Sequence, residues 1–361
     1  MTKRLPRAAA LLAAAVALLA GCSDDHSPVR PVVPRTYFMG FSSFPPRPDL
    51  NLAIATINAW APRADAGLIL TDPPWAALLA GESIDSMIRN NQLGLANYFR
   101  SKGLRVIASI DPTNGLDRSA ESPALVAAGR SLSEPAVQAL YRDYATAIDT
   151  IVHPDYLGVA SETNLIRAIA PASLYGAVVQ AAGLAAASIG VVDSTVRLYT
   201  TVQVETAWGK LAGPGGVYVG IDQDLADFGF IRALGVSSYP YLGGFADPEN
   251  IPLDYYSRLQ EGKPIRFPTL VIEGGWPSVP VGAANSDEQK QRRYIAHQSR
   301  LLDQAKSVAW FQITFTDLDE VAYGSPPGVL TPFSHLGLVD VNLAAKAALG
   351  QWDRIFARPR Q

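Results

Sequence analysis

The chain is poor in several things, and each shortage narrows what it is. Cysteine occurs once, at Cys22, so no internal disulfide can staple the fold and stability must come from an apolar core. Histidine is scarce as well. His153, His297 and His335 fall before a strand, inside a helix and in a late loop, with no HExxH, no Cys–His cluster and no Ser–His–Asp order. Metal-dependent and serine-hydrolase chemistry therefore have no visible basis, and neither a metal nor any other cofactor is expected. Basic charge is scarce too. The formal net charge is −3, and it becomes −6 if the segment holding Lys3, Arg4 and Arg7 is removed, so no basic face for nucleic acid is implied. No unit of 20 to 50 residues repeats, which excludes a solenoid or propeller. The glycine-rich stretch 213–216 lacks the spacing and the following helix that a phosphate cradle needs, and it reads as a plain loop.

The N-terminal segment differs from the rest. Three basic residues precede the apolar run Ala8 to Ala20, which is too short to span a bilayer comfortably and is laid out as a secretory signal. It closes on Leu19-Ala-Gly-Cys22, which resembles the lipobox of bacterial lipoproteins. The resemblance implies cleavage before Cys22, lipidation of that cysteine, and a signal peptide over residues 1–21. Ser23 to Pro34 has no apolar periodicity and three prolines, so residues 22–35 read as a lipidated, stiff tether. Ser23 rather than Asp follows the cysteine, which resembles cargo sent on to an outer membrane. The expected location is the cell envelope, with the membrane as a partner through the anchor.

From residue 36 to 361, short apolar strands alternate with amphipathic segments, the mark of a parallel sheet of βα units. Eight strands are expected at Tyr37 to Phe44, Ala66 to Thr71, Arg105 to Ile110, the run from Tyr156, Val196 to Val204, Leu234 to Ser238, the run around Leu270 to Ile272, and Val308 to Phe315. Helices are expected over Leu50 to Trp60, Ser86 to Ser101, from Ser133 onward, Pro171 to Ile189, Asp222 to Ala233, Leu253 to Gln260, Ser286 to Lys306 and Asn342 to Phe356. That count predicts one (β/α)8 barrel, a TIM barrel, over the whole of residues 36–361.

The chain is organised around Pro268-Thr-Leu-Val-Ile-Glu-Gly-Gly-Trp-Pro-Ser278, a branched apolar strand that ends on Glu273 and is stopped by glycines and proline. Tyr156-Leu-Gly-Val-Ala-Ser-Glu-Thr-Asn164 has the same build and ends on Glu162. Alternation puts Gly158, Ala160 and Glu162 on one inward face, and Thr269, Val271 and Glu273 on another. Barrel strands four and seven face each other across the axis. Two carboxylates held across a rim leave room for a glycosidic bond, one giving a proton to the leaving oxygen and the other attacking the anomeric carbon.

Ile272-Glu-Gly-Gly-Trp-Pro-Ser278 resembles the strand-seven motif of arabinogalactan endo-β-1,4-galactanases and plant-type β-1,3-glucanases, within the large clan of retaining (β/α)8 glycoside hydrolases. Gly158 to Asn164 is similar to the galactanase strand-four motif, and Gly235-Val-Ser-Ser-Tyr-Pro-Tyr241 resembles that family's strand six. The resemblance implies Glu162 as acid/base, Glu273 as nucleophile, and Tyr239 as the hydrogen-bond partner that holds the nucleophile ionised. The substrate it implies is a β-linked polysaccharide or oligosaccharide, galactan-like or glucan-like, cleaved by double displacement. Asn164, Tyr239, Tyr241, Trp276, Asp72, Gln203 and Glu205 are the expected substrate-binding residues, with Asp111 and Asp317 at further strand ends and Trp75 and Trp208 as further stacking surfaces. Two positions depart from the family pattern. Ser161 stands where an Asn is usual, and strand eight has Trp310 near its start but none at its C-terminal end. These departures support a second expectation, a catalytically silent barrel lipoprotein that binds glycan or serves as an envelope module.

Overall fold

A computed structural model describes residues 33–212 and 215–361. The expected signal, the expected lipidation site at Cys22 and most of the expected tether lie outside the described residues, as does part of the glycine-rich loop. The remainder from Pro34 is one compact unit.

Eight parallel strands close into a barrel in sequence order: β1 Phe38–Ser42, β2 Ala66–Thr71, β3 Arg105–Ile110, β4 Tyr156–Gly158, β5 Arg197–Gln203, β6 Ala233–Ser238, β7 Thr269–Gly274 and β8 Ala309–Gln312. Closure is made by β1 on β8, with Phe38 opposite Ala309 and Phe41 opposite Gln312. The main helices outside it are α1 Leu50–Trp60, α2 Gly94–Ser101, α3 Pro135–Val152, α4 Thr163–Ile169, α5 Ala172–Val192, α6 Asp222–Asp227, α7 Glu288–Ala305 and α8 Ala347–Phe356.

The sequence punctuates these elements as helix physics requires. The Asp49 carboxylate caps α1 by accepting from Leu52 N at 2.8 Å, and Asp287 caps α7 by accepting from Lys290 N at 2.8 Å. Pro135 opens α3 in its first turn, where its missing N–H costs nothing, and His153 closes it in the left-handed conformation. The long apolar helix α5 packs its alanines, Ala177, Ala181 and Ala185, into the core and lies against α3.

Alternation along the strands separates two apolar shells. Leu68, Ile107, Tyr156, Tyr199, Leu270, Ile272 and Phe311 fill the barrel lumen. A larger shell, including Phe41, Trp60, Ile69, Val236, Val271 and Trp352, joins the outer strand faces to the helices. Gly158 is dictated by this crowding: a Cβ there would sit 2.7 Å from both Ser109 Oγ and the Tyr199 ring. At the N-terminal end of the barrel the chain ends are tied together. Arg35 N donates to Pro359 O at 2.8 Å, Gln361 N donates to Arg35 O at 3.0 Å, and the Arg35 guanidinium pairs with Asp65 at 2.6 Å.

Several boundaries differ from expectation. The expected helix Asp222 to Ala233 is helical only to Asp227, and Leu253 to Gln260 holds a turn and the short 3₁₀ segment Ser257–Gln260. β8 ends at Gln312 instead of Phe315, and the last helix starts at Ala347 rather than Asn342. The expected helix from Ser86 begins earlier, at Ile84, and contains a wide turn over Arg89–Leu93. Except in the helix that begins at Ile84, irregular segments stand where the local pattern allowed regular turns.

The inward parity of β7 is a sharper correction. Leu270 and Ile272 face the lumen, while Val271 packs outward with the helices, opposite to the expected face. The pairing with β6 explains why Glu273 still reaches the rim. Val236 lies opposite Val271 but Ser237 lies opposite Glu273, so β7 carries one extra residue at this point. Such a bulge bends the strand and re-aims the next side chain. Glu273 points toward the barrel mouth because of this irregularity and not through regular alternation.

Candidate active site at the C-terminal mouth of the barrel

A cavity of about 360 Å³ opens at the C-terminal ends of the strands. Its lining combines the polar residues Asp72, Asp111, Arg118, Ser161, Tyr239 and Glu273 with the apolar Phe44, Leu318, Leu330 and Phe333, and the Phe333 ring meets that of Tyr239 edge-on.

Glu273 presents its carboxyl to this cavity from the bulged end of β7, and the Tyr239 hydroxyl donates to its Oε2 at 3.2 Å. Tyr239 follows directly on β6, which places the phenol beside the neighbouring strand. Burial pushes the Glu273 pKa up to about 7, and the nearby Glu162 charge adds to the rise, while Arg118 and the Tyr239 hydrogen bond work against it. Near neutral pH this carboxyl therefore divides between its two protonation states.

Glu162 has a different setting. It lies four residues beyond β4 in the left-handed conformation, φ 46°, directly before α4 and without a side-chain hydrogen bond to that helix's first turn. Its backbone N–H donates to Thr201 Oγ1 at 2.7 Å, which holds the turn. Arg118 Nε donates to Glu162 Oε2 at 2.8 Å, and Ser237 Oγ donates to Oε1 at 2.6 Å. Both carboxylate oxygens thus have protein donors. The residue is 8% exposed and lies behind Arg118, outside the set of described residues that line the cavity. One of these two donors carries a positive charge, which makes its hydrogen bond the stronger kind.

Arg118 links the two halves of the site. Its guanidinium pairs with Asp111 as well as Glu162 and also donates to Thr113 Oγ1 at 3.2 Å. Asp111 Oδ1 accepts in turn from Thr113 N at 3.0 Å and Thr113 Oγ1 at 2.9 Å. Burial works to lower the Arg118 pKa, but the pull of Asp111 and Glu162 outweighs it and holds the guanidinium above its ordinary value. Asp72 is exposed as a residue yet lines the cavity; partial burial, followed by the charge of Asp111, pushes its pKa up to about 6.

Of the sugar-contact candidates expected from sequence, Asp72, Asp111 and Tyr239 line the cavity; Asn164, Gln203, Glu205, Tyr241, Trp276, Asp317, Trp75 and Trp208 are not among its described lining residues. Asn164 is 1% exposed and pairs with the β5 backbone, donating to Gln203 O at 2.9 Å and accepting from Gln203 N at 2.7 Å. The Gln203 side chain caps the next turn by accepting from Thr206 N at 2.7 Å, and it also donates to Glu205. Glu205 is fully buried and accepts from Ser238 Oγ at 2.9 Å, Tyr255 Oη at 2.9 Å and Tyr239 N at 3.0 Å, with its pKa raised by burial. It positions the Tyr239 backbone from beneath and does not meet a ligand.

The aromatic surfaces are corrected in the same way. Trp276 is 1% exposed, stacks on Tyr294 and donates to Ser286 Oγ at 2.9 Å. Tyr241 meets it edge-on and donates to Pro332 O at 2.6 Å; Trp75 is buried against Tyr141, and Trp208 stacks on Tyr255. These rings have core neighbours on the faces that a sugar would need. Asp317, another strand-end candidate, is tied to Lys346 at 2.5 Å and accepts from Gly337 N at 3.1 Å. Sequence reasoning missed Arg118 and Ser237, which carry the electrostatics. Arg118 sits in an irregular loop after β3, and its only local signal is the acidic residue seven positions before it.

Neither a family model nor a curated protein sequence matches this chain. Solved structures do. An exo-β-1,4-mannosidase from an Opitutaceae bacterium superposes with a TM-score of 0.64 at 16% identity, covering 90% of this chain and 59% of that one. A GH53 catalytic domain from Ignisphaera aggregans gives 0.58 at 14% identity, over 91% of this chain and 92% of that one. A β-glucuronidase from an uncultured Clostridium gives 0.58 at 13% identity, over 89% of this chain and 50% of that one. The chain thus spans about half the length of the glucuronidase and somewhat more of the mannosidase. At these identities the likeness shows the fold, a closed eight-stranded parallel barrel shared with glycoside hydrolases.

Proposed function

We propose that this chain is a glycoside hydrolase that cleaves a β-linked polysaccharide or oligosaccharide, exported and held in the cell envelope through lipidated Cys22. The observation that carries the reading is the pair of strand-end glutamates, after β4 and on β7, beside a cavity at the barrel mouth, with the Tyr239 hydroxyl on Glu273. The barrel relatives named above support it. In double displacement the Glu273 carboxylate attacks the anomeric carbon while the glycosidic oxygen takes a proton from Glu162 and leaves as an alcohol. Water then gives a proton back to Glu162, its oxygen displaces Glu273 from the anomeric carbon, and the pair returns to its starting state. Because Arg118 holds Glu162 in a charge pair, Glu162 must take up a proton and part from Arg118 before the first step.

That same clamp favours a second reading, a glycan-binding barrel without turnover. Both oxygens of Glu162 are occupied and the residue is set back from the cavity. Incubation with a panel of β-linked glycans and activated aryl β-glycosides separates the two. For a hydrolase, Glu273→Gln abolishes cleavage of every substrate, whereas Glu162→Gln spares aryl glycosides whose phenol leaves without a proton. If both variants keep near wild-type turnover, the glutamates are not the catalytic pair. If glycans bind and none is cleaved, the binding reading replaces the hydrolase.

A further inference from the structure

The cavity has a pronounced charge imbalance. Asp72, Asp111 and Glu273 line it, with Glu162 immediately behind, and the only cation among the described lining residues is Arg118. That guanidinium is 6% exposed and already shared between Asp111 and Glu162, so its charge is spent inside the protein. Lys346 and Arg47 are engaged elsewhere: Lys346 pairs with Asp317 at 2.5 Å and Arg47 with Asp319 at 2.8 Å. A ligand in this space thus meets an uncompensated negative field, strengthened by the low-dielectric wall of Leu318, Leu330 and Phe333.

The lining supplies a second feature. Phe44, Leu318, Leu330 and Phe333 bring apolar groups to the same cavity as the carboxyls. Carboxyls that share a cavity with an apolar surface suit a body with C–H surface, hydroxyl groups and a positive charge.

We infer that the cavity selects its sugar by charge, taking an unacetylated amino sugar whose ammonium faces Asp72 and Glu273, and turning away a uronate. The inference rests on the cavity being the sugar site, as in either reading above, but does not require turnover. It also separates this chain from the β-glucuronidase whose barrel it shares, since no unengaged cation among the described lining residues is left to pair with a sugar carboxylate.

Binding of methyl β-glucosaminide, methyl β-glucoside and methyl β-glucuronide to the whole protein, measured by calorimetry or ligand-observed NMR at low salt, tests it. The glucosaminide should bind about tenfold tighter than the glucoside, the worth of one charge-assisted hydrogen bond. The glucuronide should bind more weakly than either. Asp72→Asn should shrink the ratio of glucosaminide to glucoside affinity, and 0.5 M salt, about 0.4 nm of Debye length, should shrink it likewise. Glucuronide binding equal to or tighter than glucoside, or a glucosaminide no better than glucoside, overturns the charge selection alone. If none of the three binds, the cavity is not a sugar site and both readings fall with the inference.

Discussion

Replacing Glu273 by Gln should make the protein more stable above neutral pH, and the size of the gain follows from the site. The ordinary carboxyl pKa of 4.5 is raised to about 7 in the folded protein, first by burial and then by the charge of Glu162. A raised pKa means that the folded state holds this proton more tightly than the unfolded chain does. The associated stability is fully present below about pH 4.5 and is lost as pH rises through 7. A rise of that size corresponds to about 3 kcal/mol, and since Glu273 is partly open to the cavity we expect about 2–3 kcal/mol. Urea unfolding at pH 5 and pH 8 measures it. Wild type and Glu273→Gln should be within about 1 kcal/mol of each other at pH 5, with the variant ahead by about 2–3 kcal/mol at pH 8. Tyr239→Phe removes the hydrogen bond that lowers this pKa and should push the wild-type loss to higher pH. A stability difference that is the same at both pH values, or a variant less stable at pH 8, would refute the claim that Glu273 is held under electrostatic stress.

Arg118→Met leaves Asp111 and Glu162 without their shared cation; we expect a loss of about 3–5 kcal/mol in urea unfolding, reduced when Glu162→Gln is added, and a double variant no more stable than Arg118→Met would count against the clamp. Trp276→Ala should cost about 3–5 kcal/mol in unfolding free energy through the cavity it leaves beside Tyr294, without the specific loss of glycan affinity that a stacking platform would show. Cys22→Ser should abolish incorporation of labelled fatty acid and leave an unanchored precursor; continued labelling would end the lipoprotein reading.

How much of this was legible in the sequence follows a physical divide. The barrel was readable because each strand is a local event: a branched apolar run such as Leu270 to Ile272 with glycine and proline at its end states its own conformation. The two glutamates could be picked out as polar residues near the ends of apolar runs, but their placement was not local: Glu162 lies four residues beyond β4 in a left-handed turn, and Glu273 is aimed by a bulge. The β7 bulge was not readable. It exists only in the pairing of Val236 and Ser237 with their partners, so parity counted along one strand chose the wrong face for Val271. Exposure was also unreadable. Trp276 and Tyr241 lie in rim segments by sequence, but Tyr294 and Pro332, which come from α7 and a late loop, cover them. Asn164, Gln203 and Glu205 fail as ligand contacts because their polar groups are consumed by one another and by the backbone.

The consequence for mechanism lies in the different treatment of two residues that the motifs treat as a matched pair. A proton donor must begin protonated, and Glu162 lies between a guanidinium and a hydroxyl that both donate to it. A nucleophile must begin ionised, and Glu273 lies where burial and a neighbouring negative charge favour its proton. Sugar binding could restore the expected order only by separating Arg118 from Glu162: its loss would let Glu162 accept a proton, and a neutral Glu162 would in turn ease the ionisation of Glu273. One displacement would thus set both residues, and the proton needed by one would be the proton given up by the other. In a chain that does not hydrolyse glycans the same contacts would instead be permanent, a buried Asp111–Arg118–Glu162 bridge closing the barrel mouth. The position of Arg118 in a sugar-bound crystal decides between them. A guanidinium still on Glu162 with a β-glycoside seated against Glu273 would leave the hydrolase no acid, and one turned away toward Asp111 would supply it.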